Sequence, residues 1–168
     1  MHRRHDGALP LPQQLSPSLL LRRAAADDVP ALVALLTDDP LGRSRETTDL
    51  GPYRAAFAEV DADPAHLLVV AESVGEVVGT LQLSVLPSLA RLGARRAQLE
   101  AVRVHRDHRG AGVGSALVRW AVAEAGRRGC RLVQLTSDLR RPEAHDRPRE
   151  LIIGRWLRDT RVPATIGR

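Results

Sequence analysis

The stretch from Arg103 to Trp120, RVHRDHRGAGVGSALVRW, constrains this chain more than any other part of it. Gly110, Gly112 and Gly114 stand at alternate positions. Before them AQLEAVRVHR alternates as a strand does, and after them VGSALVRWAVAEAGRRG carries apolar residues at helical spacing. The first amide groups of a helix have no intrahelical partner and lie at the positive end of its dipole. A glycine-rich turn at that point suits an anion, because no Cβ keeps the ligand away from the backbone.

Several chemistries that use similar residues are excluded. A Walker loop needs Gly-Lys-Ser/Thr, and all 25 basic Lys/Arg positions of this chain are arginine. A dinucleotide fingerprint needs G-x-G-x-x-G, but Ser115 stands three residues past Gly112 and Leu117 three past Gly114. His105-Arg106-Asp107 echoes a kinase catalytic loop in a chain that has no asparagine to hold the second metal. Ser115 is outside any G-x-S-x-G elbow. His105 and His108, with Asp107 between them, read as solvated loop side chains, and no metal site is expected.

The chain of 168 residues has room for one ordinary domain. Residues 1–17, MHRRHDGALPLPQQLSP, are polar and proline-rich and predict a flexible N-terminal extension; residues 18–168 then form the single domain. SLLLRR predicts a strand, and AAADDVPALVALL a helix capped by Asp27 or Asp28 with Pro30 in its first turn. After the loop TDDPLGRSRETTDLG, PYRAAFAEVDADP sets Tyr53, Phe57 and Val60 at helical spacing. HLLVVAES and EVVGTLQLSVL flank VGE as a hairpin, and PSLARLGARR connects them to the strand before the glycines. Strict alternation in that strand puts Leu99, Ala101 and Arg103 on one side and Glu100, Val102 and Val104 on the other. Gly126 and Gly129 end the following helix, and CRLVQLTS is a strand of the continuous apolar kind, with Cys130 as a small buried residue at its start. The order β-α-α-β-β-β-α-β predicts an α/β or α+β fold on a mixed sheet.

A formal net charge of +5 suggests nucleic acid, but the arginines are interspersed with acidic residues and aromatics make up only 2%. Base stacking lacks its side chains, so no nucleic-acid partner is expected. No apolar run approaches a membrane span or the core of a signal peptide, so the reading is a cytoplasmic chain without a membrane partner.

The remaining pattern, R-G-x-G-x-G at Arg109 to Gly114, follows the strand LEAVRV and precedes a helix and the strand CRLVQLTS. In this it resembles the GNAT N-acetyltransferase superfamily, whose signature is Q/R-x-x-G-x-G/A, and the resemblance covers roughly residues 19 to 145. It implies a GNAT fold: a mixed twisted sheet of about six to seven strands, helices on both faces, and acetyl-CoA in the V-shaped gap between strands 4 and 5. By the same resemblance Val102 and Val104 pair with the pantetheine arm, and Arg109, Gly110, Ala111, Gly112, Val113, Gly114 and Ser115 receive the pyrophosphate. Acetyl-CoA is the implied cosubstrate, and a small-molecule or protein amine the implied acceptor. A second copy of the chain is the other candidate partner.

Amide formation from a thioester needs an unprotonated amine, a near-attack geometry and stabilisation of the oxyanion. Glu100 stands where several enzymes of this superfamily place a glutamate as base, and a carboxylate partly buried in a cleft would have a raised pKa. The resemblance implies direct attack in a ternary complex. The alternative is a CoA-binding module that has lost turnover, because the superfamily's usual acid, a tyrosine on the last helix, has no counterpart: Pro142 to His145 begin suitably, but Arg147, Pro148 and Arg149 stand near the aromatic pair, and the closing strands read weakly. The resemblance also implies that acceptor contacts come from the region of the first two helices, with TDDPLGRSRETTDL and Tyr53, and from PSLARLGARRAQ ahead of the glycine strand; Asp38, Asp39, Asp49 and the arginines at 91–96 there read as solvated loop charge.

Overall fold

In a computed structural model the structure describes residues 10–38, 46–137 and 151–156. The strands are β1 (Gln13–Ser16), β2 (Leu19–Arg23), β3 (His66–Ser73), β4 (Glu76–Leu86), β5 (Arg95–Val104), β6 (Cys130–Ser137) and β7 (Leu151–Trp156). They form one seven-stranded sheet in chain order. Every neighbouring pair is antiparallel except β5–β6. A parallel pair needs a crossover, and the 15-residue helix α3 (Val113–Arg127) supplies it. Helices α1 (Val29–Thr37) and α2 (Gly51–Ala62) come between β2 and β3.

The two faces of the sheet pack differently. One face carries Leu21, Val69, Leu81, Leu83 and Leu99 against Val113, Leu117, Trp120 and Ala121 of α3, all buried. The other carries a small cluster of Ala24, Leu32 and Val70, with Phe57, Leu68 and Val77 partly buried against it. Helices therefore cover both faces; the mixed sheet expected from the element order is present, and its seven strands with helices on both faces match the fold that the resemblance implies.

Local details depart from the sequence reading in identifiable ways. Gln13–Ser16, placed in the N-terminal extension, is an edge strand paired with β2, because its alternating half-buried side chains lean on the sheet. Asp28 precedes α1 as expected but makes no side-chain cap; its carboxylate accepts from the Ala25 amide (2.7 Å) and from Arg22 (2.7 and 2.9 Å). Gly126 lies inside α3; Gly129, with φ +76°, is the left-handed residue that follows the helix end. The hairpin turn is Val74–Gly75, both at positive φ, which matches the twist of a two-residue connection. After residue 146, where the closing strands read weakly, β7 pairs with β6 from Leu132↔Trp156 to Ser137↔Leu151 and covers its outer edge.

Candidate functional site

The glycine loop lies between the end of β5 and the N-terminus of α3. Gly110 and Gly112 have φ of +79° and +82°, which an L side chain rarely adopts, and a Cβ built on either would meet no atom within 4 Å. The space above the loop is open. The bond from Ala116 N to Gly112 O (2.9 Å) closes the first turn of α3, so the amides of Val113, Gly114 and Ser115 precede the intrahelical ladder and remain available to an anion. Gly114 packs close to Val104: a Cβ there would stand 3.5 Å from Val104 Cγ2.

β5 supplies the adjoining wall. Its pairing with β6 runs only from Arg95↔Cys130 to Leu99↔Leu135, and beyond that point the two strands pair only with β4 and β7. Residues 100–104 therefore border a gap. The His105 amide donates to Val78 O across β4 (2.8 Å), so Gly79 and Val104 face each other between ladder bonds, and the Val104 amide and carbonyl turn away from β4. Two arginines cap carbonyls on this segment: Arg109 Nε donates to Val104 O (3.1 Å) and Arg103 Nη1 to Val102 O (3.0 Å).

Arg109 is also tied to Asp38, at the C-terminal end of α1. Asp38 Oδ2 accepts from Arg109 Nη2 (3.0 Å) and from the Arg106 amide (3.2 Å), and Oδ1 pairs with Arg106 Nη2 (2.8 Å). With its side chain 9% exposed, Asp38 is not the solvated loop charge expected from the sequence but the joint between α1 and the glycine loop. Nothing local signalled this, since the partners are about seventy residues apart in the chain. Asp49 is an exposed loop residue, holding the Gly51 amide at the start of α2 (2.9 Å). Asp39 and the segment Pro142 to Arg149 lie outside the described residues.

A β-bulge overturns the alternation expected in β5. Gln82 pairs with Glu100 and Thr80 with Arg103, so Ala101 and Val102 together oppose Leu81, and Ala101 takes φ +50°. Glu100 is thereby separated from Val102 and Val104. Directly paired residues share a face, so Glu100 and Arg103 lie on the α1–α2 side with Gln82 and Thr80. Val102 and Val104 instead pack on the α3-side core. Glu100 is exposed, not the partly buried carboxylate expected from the sequence.

On that side an apolar cleft of about 130 Å³ opens between α1 and α2. Leu32, Val33 and Leu36 form one wall, Tyr53, Phe57 and Val60 the other, with Thr80, Gln82 and Ala101 beneath. The Tyr53 hydroxyl donates to Glu46 Oε2 (2.5 Å), and that carboxylate holds the phenol above its usual range. The start of α1 is fixed by Arg22, which bridges Asp28 and Glu72 (both 2.7 Å) and holds the Asp28 carboxyl below the usual range. Cys130 is buried at the start of β6, and burial pushes its thiol up, away from reactivity.

Residues 29–147 match the family model described as Acetyltransferase (GNAT) family. The chain is 28% identical over 133 residues to an aminoalkylphosphonate N-acetyltransferase of Salmonella typhimurium, covering 79% of this chain and 83% of the relative. Among solved structures, one of a transcriptional regulator from Bacillus halodurans superposes with a TM-score of 0.72 at 43% identity, over 75% of this chain and 86% of that one. Glucosamine-6-phosphate N-acetyltransferase of Arabidopsis thaliana shares the fold, with a TM-score of 0.63 at 20% identity, over 73% and 84% of the two chains. The open glycine loop at a helix N-terminus, the gap between two parallel strands and the match over residues 29–147 agree, and the chain belongs to the GNAT acetyltransferase family.

Proposed function

We propose that the protein transfers an acetyl group from acetyl-CoA to a primary amine by direct attack within a ternary complex. The observation that carries this reading is the divergence of β5 and β6 after Leu99↔Leu135, beside a loop whose glycines leave open space at the N-terminus of α3. The amides of Val113, Gly114 and Ser115 suit the pyrophosphate. Val102 and Val104 would offer their backbone to the pantetheine arm in place of the arginine caps. Acetyl-CoA supplies an activated acyl carbon. The acceptor nitrogen attacks that carbon, the C–S bond breaks, and the thiolate leaves as the amide forms. The proton that the amine must lose falls to Glu100, directly or through water, since it stands on the α1–α2 face beside the gap. The reading includes no tyrosine acid for the thiolate; water can protonate it.

Calorimetric titration with acetyl-CoA, followed by thiol release against amines, tests this reading. Saturable binding is expected, and Gly112→Val should weaken it by about tenfold or more, because Cβ would enter the anion's space at a left-handed position. Unchanged affinity would remove the loop as the pyrophosphate site. Glu100→Gln should lower the rate most at acid pH, where free amine is scarce, and leave acetyl-CoA affinity intact. An unaltered pH–rate profile would remove Glu100 as base. Binding without turnover against any amine would favour a CoA-binding module instead.

A further inference from the structure

We infer that the acceptor carries an uncharged apolar group of about the size of a benzene ring, seated in the cleft between α1 and α2 with the amine at its edge beside Glu100. The inference rests on the acetyl-transfer reading above. α2 buries none of its residues, although Tyr53, Phe57 and Val60 share one face. That face stays half exposed along the cleft, opposite Leu32, Val33 and Leu36. Among the described residues, no charged side chain lines the cleft. Its polar groups are largely committed: Thr80 Oγ1 donates to Val69 O (3.0 Å) and the Tyr53 hydroxyl to Glu46.

A phosphonate, carboxylate or second ammonium placed there would give up its hydration without a charged partner among the described lining residues, a cost that an alkyl or aryl group avoids. The volume of about 130 Å³ is close to that of an apolar cavity of about 150 Å³ known to take benzene. Ala101 connects the cleft to the reaction, because it lies in the cleft floor and in the stretch of β5 that borders the gap. Glu100, its neighbour, stands just outside the apolar lining on the same face. An amine joined by a short chain to an apolar group would span from one to the other.

The test compares phenethylamine and isopentylamine with aminoethylphosphonate and spermidine as acceptors in acetyl-CoA-dependent thiol release, with calorimetric binding of phenethylamine alone alongside. The apolar amines are expected to have the lowest KM. Ala56→Leu, an exposed position on α2 that lines the cleft, should raise the phenethylamine KM by about tenfold while leaving acetyl-CoA affinity within about twofold. A preference for aminoethylphosphonate or spermidine, or no response of the phenethylamine KM to Ala56→Leu, would overturn the inference and leave acetyl transfer standing. If acetyl-CoA binds but no amine is turned over, acetyl transfer fails, and the cleft is judged by calorimetry. Saturable phenethylamine binding that Ala56→Leu weakens would then support an apolar amine site, and its absence would overturn one.

Discussion

The two faces of the sheet solve the same packing problem in different ways. Against α3, leucine, valine and alanine close a continuous core, with Leu81, Leu83 and Leu117 wholly buried. Against α1 and α2 the buried cluster is three residues, and ion pairs fix α1 near its ends: Asp28 to Arg22 at the start, Asp38 to Arg106 and Arg109 at the finish. Apolar burial is short-ranged and dense, so the α3 face holds the glycine loop rigidly where the helix begins. Pinning a helix near its ends leaves its middle as the wall of a cleft. The contrast suits a protein that keeps one side constant for a cosubstrate and the other open for an acceptor.

Truncating each face should break this contrast most visibly. Leu117→Ala is expected to cost about 2–5 kcal/mol of stability, whereas Phe57→Ala, at a half-exposed cleft position, should cost only about 1 kcal/mol. Urea unfolding of the two variants measures the difference, and equal losses would mean that the α2 face carries as much of the fold as the α3 face.

Asp28→Asn should cost about 1–3 kcal/mol by weakening its charge-assisted bonds to Arg22 and Ala25. The sign of its pH dependence is fixed by the cause of the shift. Arg22 holds the folded pKa below the unfolded value, so Asp28 contributes stability above pH of about 4, and that stability is lost as pH falls through the folded pKa. The stability gap between the parent protein and Asp28→Asn should therefore close in acid. A gap that stays constant in thermal unfolding down to pH of about 2 would remove the ion pair as its cause.

The smallest effect is expected at the joint between the faces. Asp38→Asn should lower acetyl-CoA affinity by about two- to fivefold, because it loosens a loop otherwise held ready for the anion. Added salt should shrink that difference, since Arg106 and Arg109 are half exposed or more. Calorimetry at two ionic strengths checks both statements, and an unchanged affinity would mean that the glycines alone shape the loop.

The legible features were those carried by neighbouring residues. Glycines at 110, 112 and 114, a strand pattern before them and a helical pattern after them are local facts, and they put the glycine turn between a strand and a helix, where the structure has it. Alternation in β5 failed at one residue. A bulge at Ala101 inserts a single step, and one step moves every later side chain to the opposite face, so Glu100 parted from Val102 and Val104. The composition of the strand contains no glycine that would have marked it. Asp38 was misjudged because a charge in a polar loop looks solvated until its distant arginines are known.

By itself the sequence determined that this chain has a glycine-rich turn at the start of a helix, which familiar phosphate loops that turn is not, and the order of elements that places it between a strand and a helix. Backbone conformation at glycine and the period of apolar residues are properties of short segments, so they survive without knowledge of the fold. Only the tertiary structure decided which face Glu100 occupies, that Asp38 binds the loop to α1, and that α1 and α2 flank an apolar cleft. Each of those depends on register or on contacts across many residues, where one inserted residue or one distant partner reverses the local expectation.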